Sequence, residues 1–431
     1  MKGRFPHFLC ILLMMMIFFQ PASAVVEPRE LTSGIGRFQS IICEDVDGDG
    51  RDEILFGSYD GYVTSVEYAG GDYSVDWTSP RFGTRCWGLR AGQFDNDDSM
   101  EIIIGDGDGN VRALDGRTKE IEWESVTLVR DAHGLLLHDV DGDGENELIV
   151  GSGFKTDQGW GQVYFFEHNS SDPYRELEPF DSRLREIDIA DLDQDGKEEL
   201  IVTSGVSLGD IRGEGYIRIF DLETGDLKWK SPDLGGCVEG LKVVDLDGDG
   251  VLEMVVSNGY RYRDGWCFIF TYDGNDFVQV WKSGNIGPKA YGLDIGDVDD
   301  DGTLEIVVSN MAGYIRVYDA ETRVLEWTSG ELGRDVLGVV IADPDRDGEM
   351  EIIAGQGGYI GKGDYTSGYV TPHVYIIDGK TKRTEAVLGE IDDLVQWMKV
   401  VQLALVAVLI AQLAVLSRLW IHHIRKRRAR G

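Results

Sequence analysis

Short apolar runs, each closed by an acidic turn, recur along most of this chain. In one unit Gly240–Val244 alternates into the turn Asp245–Glu253, and Glu253–Ser257 follows as a β-branched run. Cys267–Tyr272 and Val278–Lys282 come next, with Gly and Asn at the turns between them. Alternation with a period of two, broken by turn residues, marks strands rather than helices. Each unit therefore predicts four short strands. Leu148–Ser152, Leu200–Ser204 and Ile306–Ser309 repeat the second strand, and Ile217–Asp221 and Ile315–Asp319 the third. The fourth carries a recurrent tryptophan (Trp77, Trp123, Trp229, Trp281 and Trp327), read as a blade-to-blade packing anchor because aromatics bury the most area per residue.

The acidic turn itself recurs seven times at intervals of 46 to 54 residues. A supersecondary unit repeated at that period reads as a propeller or solenoid before any other architecture. Four strands repeated seven times predict an all-β, seven-bladed β-propeller, in which radial closure leaves only short, protected edges. Glu30–Gly34 resembles Glu326–Gly330 at the end of the sixth unit's fourth strand. The N-terminal segment is therefore expected to compete with or extend Arg383–Leu388 as the outer strand of the seventh blade.

Six copies of the turn are intact. They place carboxylates at Asp45, Asp47, Asp49 and Glu53; at Asp139, Asp141, Asp143 and Glu147; and at Asp191, Asp193, Asp195 and Glu199. The others are Asp245, Asp247, Asp249 and Glu253; Asp297, Asp299, Asp301 and Glu305; and Asp343, Asp345, Asp347 and Glu351. Side chains at loop positions one, three and five with a glutamate at nine supply the oxygen cage that Ca²⁺ takes, roughly six to eight ligands at 2.3–2.6 Å. Six such copies in register predict six structural Ca²⁺ sites. The remaining copy starts at Gln93, keeps Asp95, Asp97 and Glu101, and has Asp98 at the glycine turn position. It is expected to be weaker or empty, with Asp98 holding the left-handed turn that Asp tolerates better than most residues.

Units such as Gly240–Asp245 followed by Asp249–Val256 resemble FG-GAP (VCBS-type) repeats, as in the integrin alpha-subunit propeller, from about Ser33 to Leu388. The resemblance implies seven blades, calcium in loops between the first and second strands, and binding or adhesion at a cell surface. The chain departs from the pattern in using Glu rather than Asp at position nine, and it shows no inserted adhesion domain and no leg domains. Gly313–Thr322 with Trp327 also resembles the blade repeat of quinoprotein-type propellers, which bears on architecture more than on a redox cofactor.

The two ends change the picture. Residues 1–24 carry Lys2, Arg4, an apolar run and Ala22-Ser23-Ala24, the pattern of a cleaved secretory signal. The propeller is assigned to 25–388, a linker to 389–394, a transmembrane helix to 395–420 and a basic cytoplasmic tail to 421–431. Val400–Ser417 is long enough to cross a bilayer, at about 27 Å of helix, between Trp397 and Trp420 and ahead of Arg425–Arg428. A single-pass type I protein with its propeller outside the cell is expected, its short tail anchoring or pairing with a partner subunit. The net charge is −36 and every acidic residue precedes Leu394, so the propeller would repel nucleic acid. Cys43, Cys86, Cys237 and Cys267 have no close-spaced pattern, and a large core does not require bridges.

Strand parity locates a ligand face. The acidic loops occupy one face of a propeller, and connections between second and third strands emerge on the other. Those connections are long in units three, four, five and seven and carry Trp160, Arg212, Tyr260, Arg261, Tyr262, Arg263, Trp266 and Tyr359, the residue types enriched at binding hot spots. Six residues before each acidic loop stand Gln39, Trp87, His133, Arg185, Glu239, Tyr291 and Leu337, whereas two and four residues before it the side chains are mostly apolar. These are expected to ring the channel mouth on the non-metal face, with Trp87, His133, Arg185 and Tyr291 contacting ligand. An extracellular protein or glycan is the expected partner, and no enzyme is expected. Gly205–Gly209 matches GxSxG but lies between strands rather than before a helix. The alternatives are a lyase or hydrolase acting on acidic polysaccharide and a non-catalytic envelope-assembly scaffold.

Overall fold

Each acidic turn joins the two innermost strands of a sheet with four antiparallel strands, and seven such sheets, the last with a fifth strand added, follow one another along the chain. The computed structural model describes residues 29–30, 38–128, 131–153, 161–179, 182–205, 213–260, 263–357 and 373–389. The fifth blade illustrates all seven, with strands Cys237–Val244, Glu253–Gly259, Gly265–Tyr272 and Phe277–Lys282. The second strand is buried end to end in every blade, as in Glu53–Ser58 and Glu305–Asn310. A strand covered on both faces reads as an unbroken apolar run, which is why these segments looked β-branched rather than alternating.

Seven apolar clusters hold the sheets together, and each is shared by two adjacent blades. One joins Ile54, Phe56 and Tyr73 of the first blade to Ile353, Val374 and Leu388 of the seventh, so the disc is closed. First strands of successive blades also pack against one another around the whole ring, first against seventh included. The fourth-strand tryptophans work as anchors: Trp123 meets Phe166 of the third blade at 5.4 Å between ring centres, Trp229 meets Phe270 of the fifth at 5.9 Å, and Trp281 meets Tyr318 of the sixth at 5.5 Å. Glycine lets the inner strands come this close. A Cβ on Gly240 would stand 2.8 Å from Leu293 Cβ in the next blade.

The N-terminal segment extends the seventh blade and does not replace its fourth strand. Arg29–Glu30 pairs parallel to Leu388–Gly389, outside Thr384–Gly389. The four cysteines after residue 24 are free and buried. The expected signal, the expected span and its tail, and Trp160, Arg212, Arg261, Tyr262 and Tyr359 all lie outside the described residues. Among the described residues no helix is long and apolar enough to cross a membrane.

Candidate functional site

The acidic loops fold on their own carboxylates. Asp45 accepts the Gly48 N–H at 2.9 Å on one oxygen and the Gly50 N–H at 2.9 Å on the other. Asp47 accepts from Asp49 N–H, and Asp49 from Arg51 N–H. The same ladder recurs at Asp245, Asp247 and Asp249. It requires left-handed backbone at positions four and six, supplied by Gly48 and Gly50 or by Gly248 and Gly250. The position-nine glutamate enters from the second strand. Its side chain accepts the position-two N–H: Val46 to Glu53 at 3.0 Å, Leu192 to Glu199 at 2.9 Å, Leu246 to Glu253 at 2.9 Å.

This arrangement aims the remaining oxygens at one point. Carboxylate oxygens of Asp45, Asp47 and Glu53 lie within 4.8 Å of one another, as do those of Asp139, Asp141 and Glu147, of Asp191, Asp193 and Glu199, and of Asp245, Asp247 and Glu253. The position-five residues Asp49, Asp143, Asp195 and Asp249 stand outside these triads and cap the turn. The other oxygen of Glu53, Glu101 and Glu147, and one oxygen of Glu351, are buried without a hydrogen-bond partner. Burial first, then the neighbouring acids, pushes the Glu53 and Glu305 carboxyls up to about 7. Buried hard oxygens that repel one another are what a divalent cation such as Ca²⁺ satisfies. Residues at positions one, three and nine would hold it.

The second loop differs, and for a visible reason. Gln93 offers one acceptor, which takes the Asn96 N–H at 2.8 Å, while its amide nitrogen donates to the carbonyls of Asp97 and Ser99, both at 2.7 Å. Asn96 is left-handed and Asp98 is not, so Asp98 does not carry the turn that the sequence suggested. The triad here is Asp95, Asp97 and Glu122 from the fourth strand Ile121–Glu124, with Glu101 left outside it. Nothing in the loop's own spacing points to Glu122.

On the opposite face, a register break in every first strand falls at the residue six before the loop. Cys86 and Gly88 pair in sequence but Trp87 between them has no cross-strand partner; the same holds for His133, Glu239 and Leu337. A bulge re-aims a side chain, and these turn inward. Trp87, His133, Glu239, Tyr291 and Leu337 line a central cavity of about 130 Å³ together with Arg90, Glu186 and Lys242. His133 stacks on Trp87 at 4.8 Å, and its Nε2 lies 3.0 Å from Arg185 Nη1. Arg185 pairs with Glu239 at 3.1 Å, and Glu239 with Lys289, which lies over the Tyr291 ring. Burial, then the three cations, keeps His133 well below its ordinary range, so the neutral ring accepts from Arg185. Burial would raise the Glu239 carboxyl, but Arg185 and Lys289 outweigh it and hold it at about 2.

His133, Arg185 and Glu239 are therefore buried and spoken for by one another, while Trp87 and Tyr291 are only half-buried. Trp87 is also flanked by Arg183 at 4.9 Å and Arg85 at 5.3 Å, and Arg85 covers Tyr59 at 4.3 Å. Arg183 pairs with Asp131 at 3.3 Å. Arg85, Arg183 and Lys289 were not singled out from sequence, because they sit two residues before the bulge, or just before the strand, where loop positions show no period. Trp266 is half-buried against Lys282 on the outer side, and Tyr260 and Arg263 lie in the turn before it, where the Tyr260 carbonyl accepts the Lys289 N–H at 3.2 Å and so borders this cluster.

Residues 245–308, from the fifth loop through the second strand of the sixth blade, match the FG-GAP-like repeat family. The molecule is a seven-bladed propeller that carries an FG-GAP-like repeat at residues 245–308. No curated protein sequence matches the chain. Among solved structures, Saccharomyces cerevisiae Sqt1 superposes with a TM-score of 0.53 at 11% identity, over 83% of this chain and 86% of that one, and shares the fold alone. The computationally designed Ika8 protein aligns with 77% of this chain and 97% of its own, at 14% identity and a TM-score of 0.47.

Proposed function

We propose that this is a calcium-stabilised recognition propeller, held at the cell surface by its C-terminal segment, that binds acidic groups of an extracellular protein or glycan at the non-metal face without catalysis. One observation carries the reading: Trp87 stacked among Arg85, Arg183 and His133 at the channel mouth. A guanidinium lying over a ring donates along its own plane, the direction from which a carboxylate approaches. On a chain of net charge −36 this basic and aromatic island is the place where an acidic partner is attracted.

Purified full-length protein in detergent, probed against glycan and protein arrays, tests this. Carboxylate-bearing glycans or acidic proteins should be retained, and Trp87→Ala or Arg85→Ala should each weaken the interaction by about 2 kcal/mol, roughly 30-fold, with the thermal midpoint unchanged in Arg85→Ala. Binding that survives both substitutions would overturn the assignment of the face.

A further inference from the structure

The fourth strand of six blades carries a second bulge, one residue before the packed tryptophan position. In the fourth blade Trp229 pairs with Ile219 and Leu227 with Phe220, leaving Lys228 between them unpaired; Glu122 and Glu326 hold the same place in the second and sixth. In the second blade the bulged residue reaches the acidic loop of its own blade, Glu122 joining Asp95 and Asp97, whereas in the fifth it is the exposed Val280. In the fourth blade the residue that reaches in is a cation. Lys228 Nζ stands 2.7 Å from Asp193 Oδ2, 2.5 Å from Glu199 Oε1 and 3.9 Å from Asp195 Oδ2.

We infer that Lys228 is a built-in substitute for the metal ion, and that the fourth loop, intact by spacing, takes no divalent cation. This rests on the calcium reading of the other loops. An ammonium is a compact point charge with three donors, suited to the carboxylates that would otherwise converge on an ion. Its effect shows at the buried glutamate. Both Glu199 oxygens are engaged, one by Leu192 N–H and one by the Lys228 ammonium; the second oxygen of Glu253 and Glu305 meets only a neutral hydroxyl, of Thr271 and Thr303, and Glu53, Glu147 and Glu351 each keep a buried oxygen without a hydrogen-bond partner. Asp191 Oδ1 alone in this loop stays without one. The fourth blade is thus pinned whatever the calcium level, and Gln194, donating to the Gly250 carbonyl at 2.7 Å, ties its loop to the fifth.

Metal content of the full-length protein equilibrated with Ca²⁺, measured for the parent and three variants, decides the matter. Asp245→Asn should lose one equivalent, Asp193→Asn should lose none, and Lys228→Gln should gain one. Backbone hydrogen exchange on the parent gives a readout free of folding defects. EDTA should leave residues 191–199 as protected as before while residues 245–253 exchange faster. Loss of one equivalent in both Asp245→Asn and Asp193→Asn, or equal EDTA sensitivity of the two loops, would overturn the lysine substitution alone. A chain that holds no ion in any loop would overturn the calcium reading and the substitution with it.

Discussion

Glu239 ties four groups from neighbouring blades to one carboxylate: Arg185 and Lys289 pair with it, His133 leans on Arg185, and Tyr291 lies under Lys289. Removing its charge leaves two cations buried without a counter-charge. Glu239→Gln should cost about 3–5 kcal/mol, read as a lower urea midpoint. Its pH dependence has a definite sign. The folded carboxyl sits at about 2, below the ordinary 4.5, so it contributes stability above about 4.5 that is lost as pH falls towards 2. Unfolding curves across that acid range should be shallower in Glu239→Gln than in the parent. An equal slope would mean that the pair contributes nothing.

The acidic loop is the repeating element, and its stability should follow calcium and pH together. Ca²⁺ at about ten times its Kd adds about 1.4 kcal/mol per occupied loop, so EDTA should lower the Tm. Without the ion, burial and neighbouring acids hold Glu53 and Glu305 near 7 and Glu351 near 9. Glu351 stands highest because position two of its loop is Pro344, which has no N–H to donate. A carboxyl raised in the fold binds its proton there and not in the unfolded chain. Stability of the metal-free protein should therefore fall as pH rises from about 4.5 through about 9. Saturating Ca²⁺, which binds the ionised form, should remove most of that slope in a thermal-melt series at both conditions.

For the whole molecule the decisive contact is the seam between first and seventh blades. Phe56 is 1% exposed and packs in the cluster that includes Ile353, Val374 and Ile376. Phe56→Ala should cost about 3–5 kcal/mol in urea unfolding. Because the cluster is shared, hydrogen exchange should accelerate in the seventh blade's strands as well as the first's. Acceleration confined to Glu53–Ser58 and its own sheet would show that the ring is not closed by this seam. The parallel strand Arg29–Glu30 adds only two paired positions to that blade.

The repeat, the strand count and the loops were legible because each depends on neighbours a few residues away: period-two runs, Gly at left-handed turns, carboxylates alternating from Asp45 to Asp49. The channel-mouth position was legible too, since Trp87, His133, Arg185, Glu239 and Tyr291 stand six residues before their loops while positions two and four before are mostly apolar, but the bulge that turns them inward was not. What no local pattern contains is who faces whom across strands and blades. Glu122 joins a loop more than twenty residues earlier, Lys228 fills one that ends 29 residues earlier, and Glu239 neutralises Arg185 and Lys289 from flanking blades. Those pairings exist only once the ring closes and brings distant charges into the same buried space, where low dielectric makes each of them count.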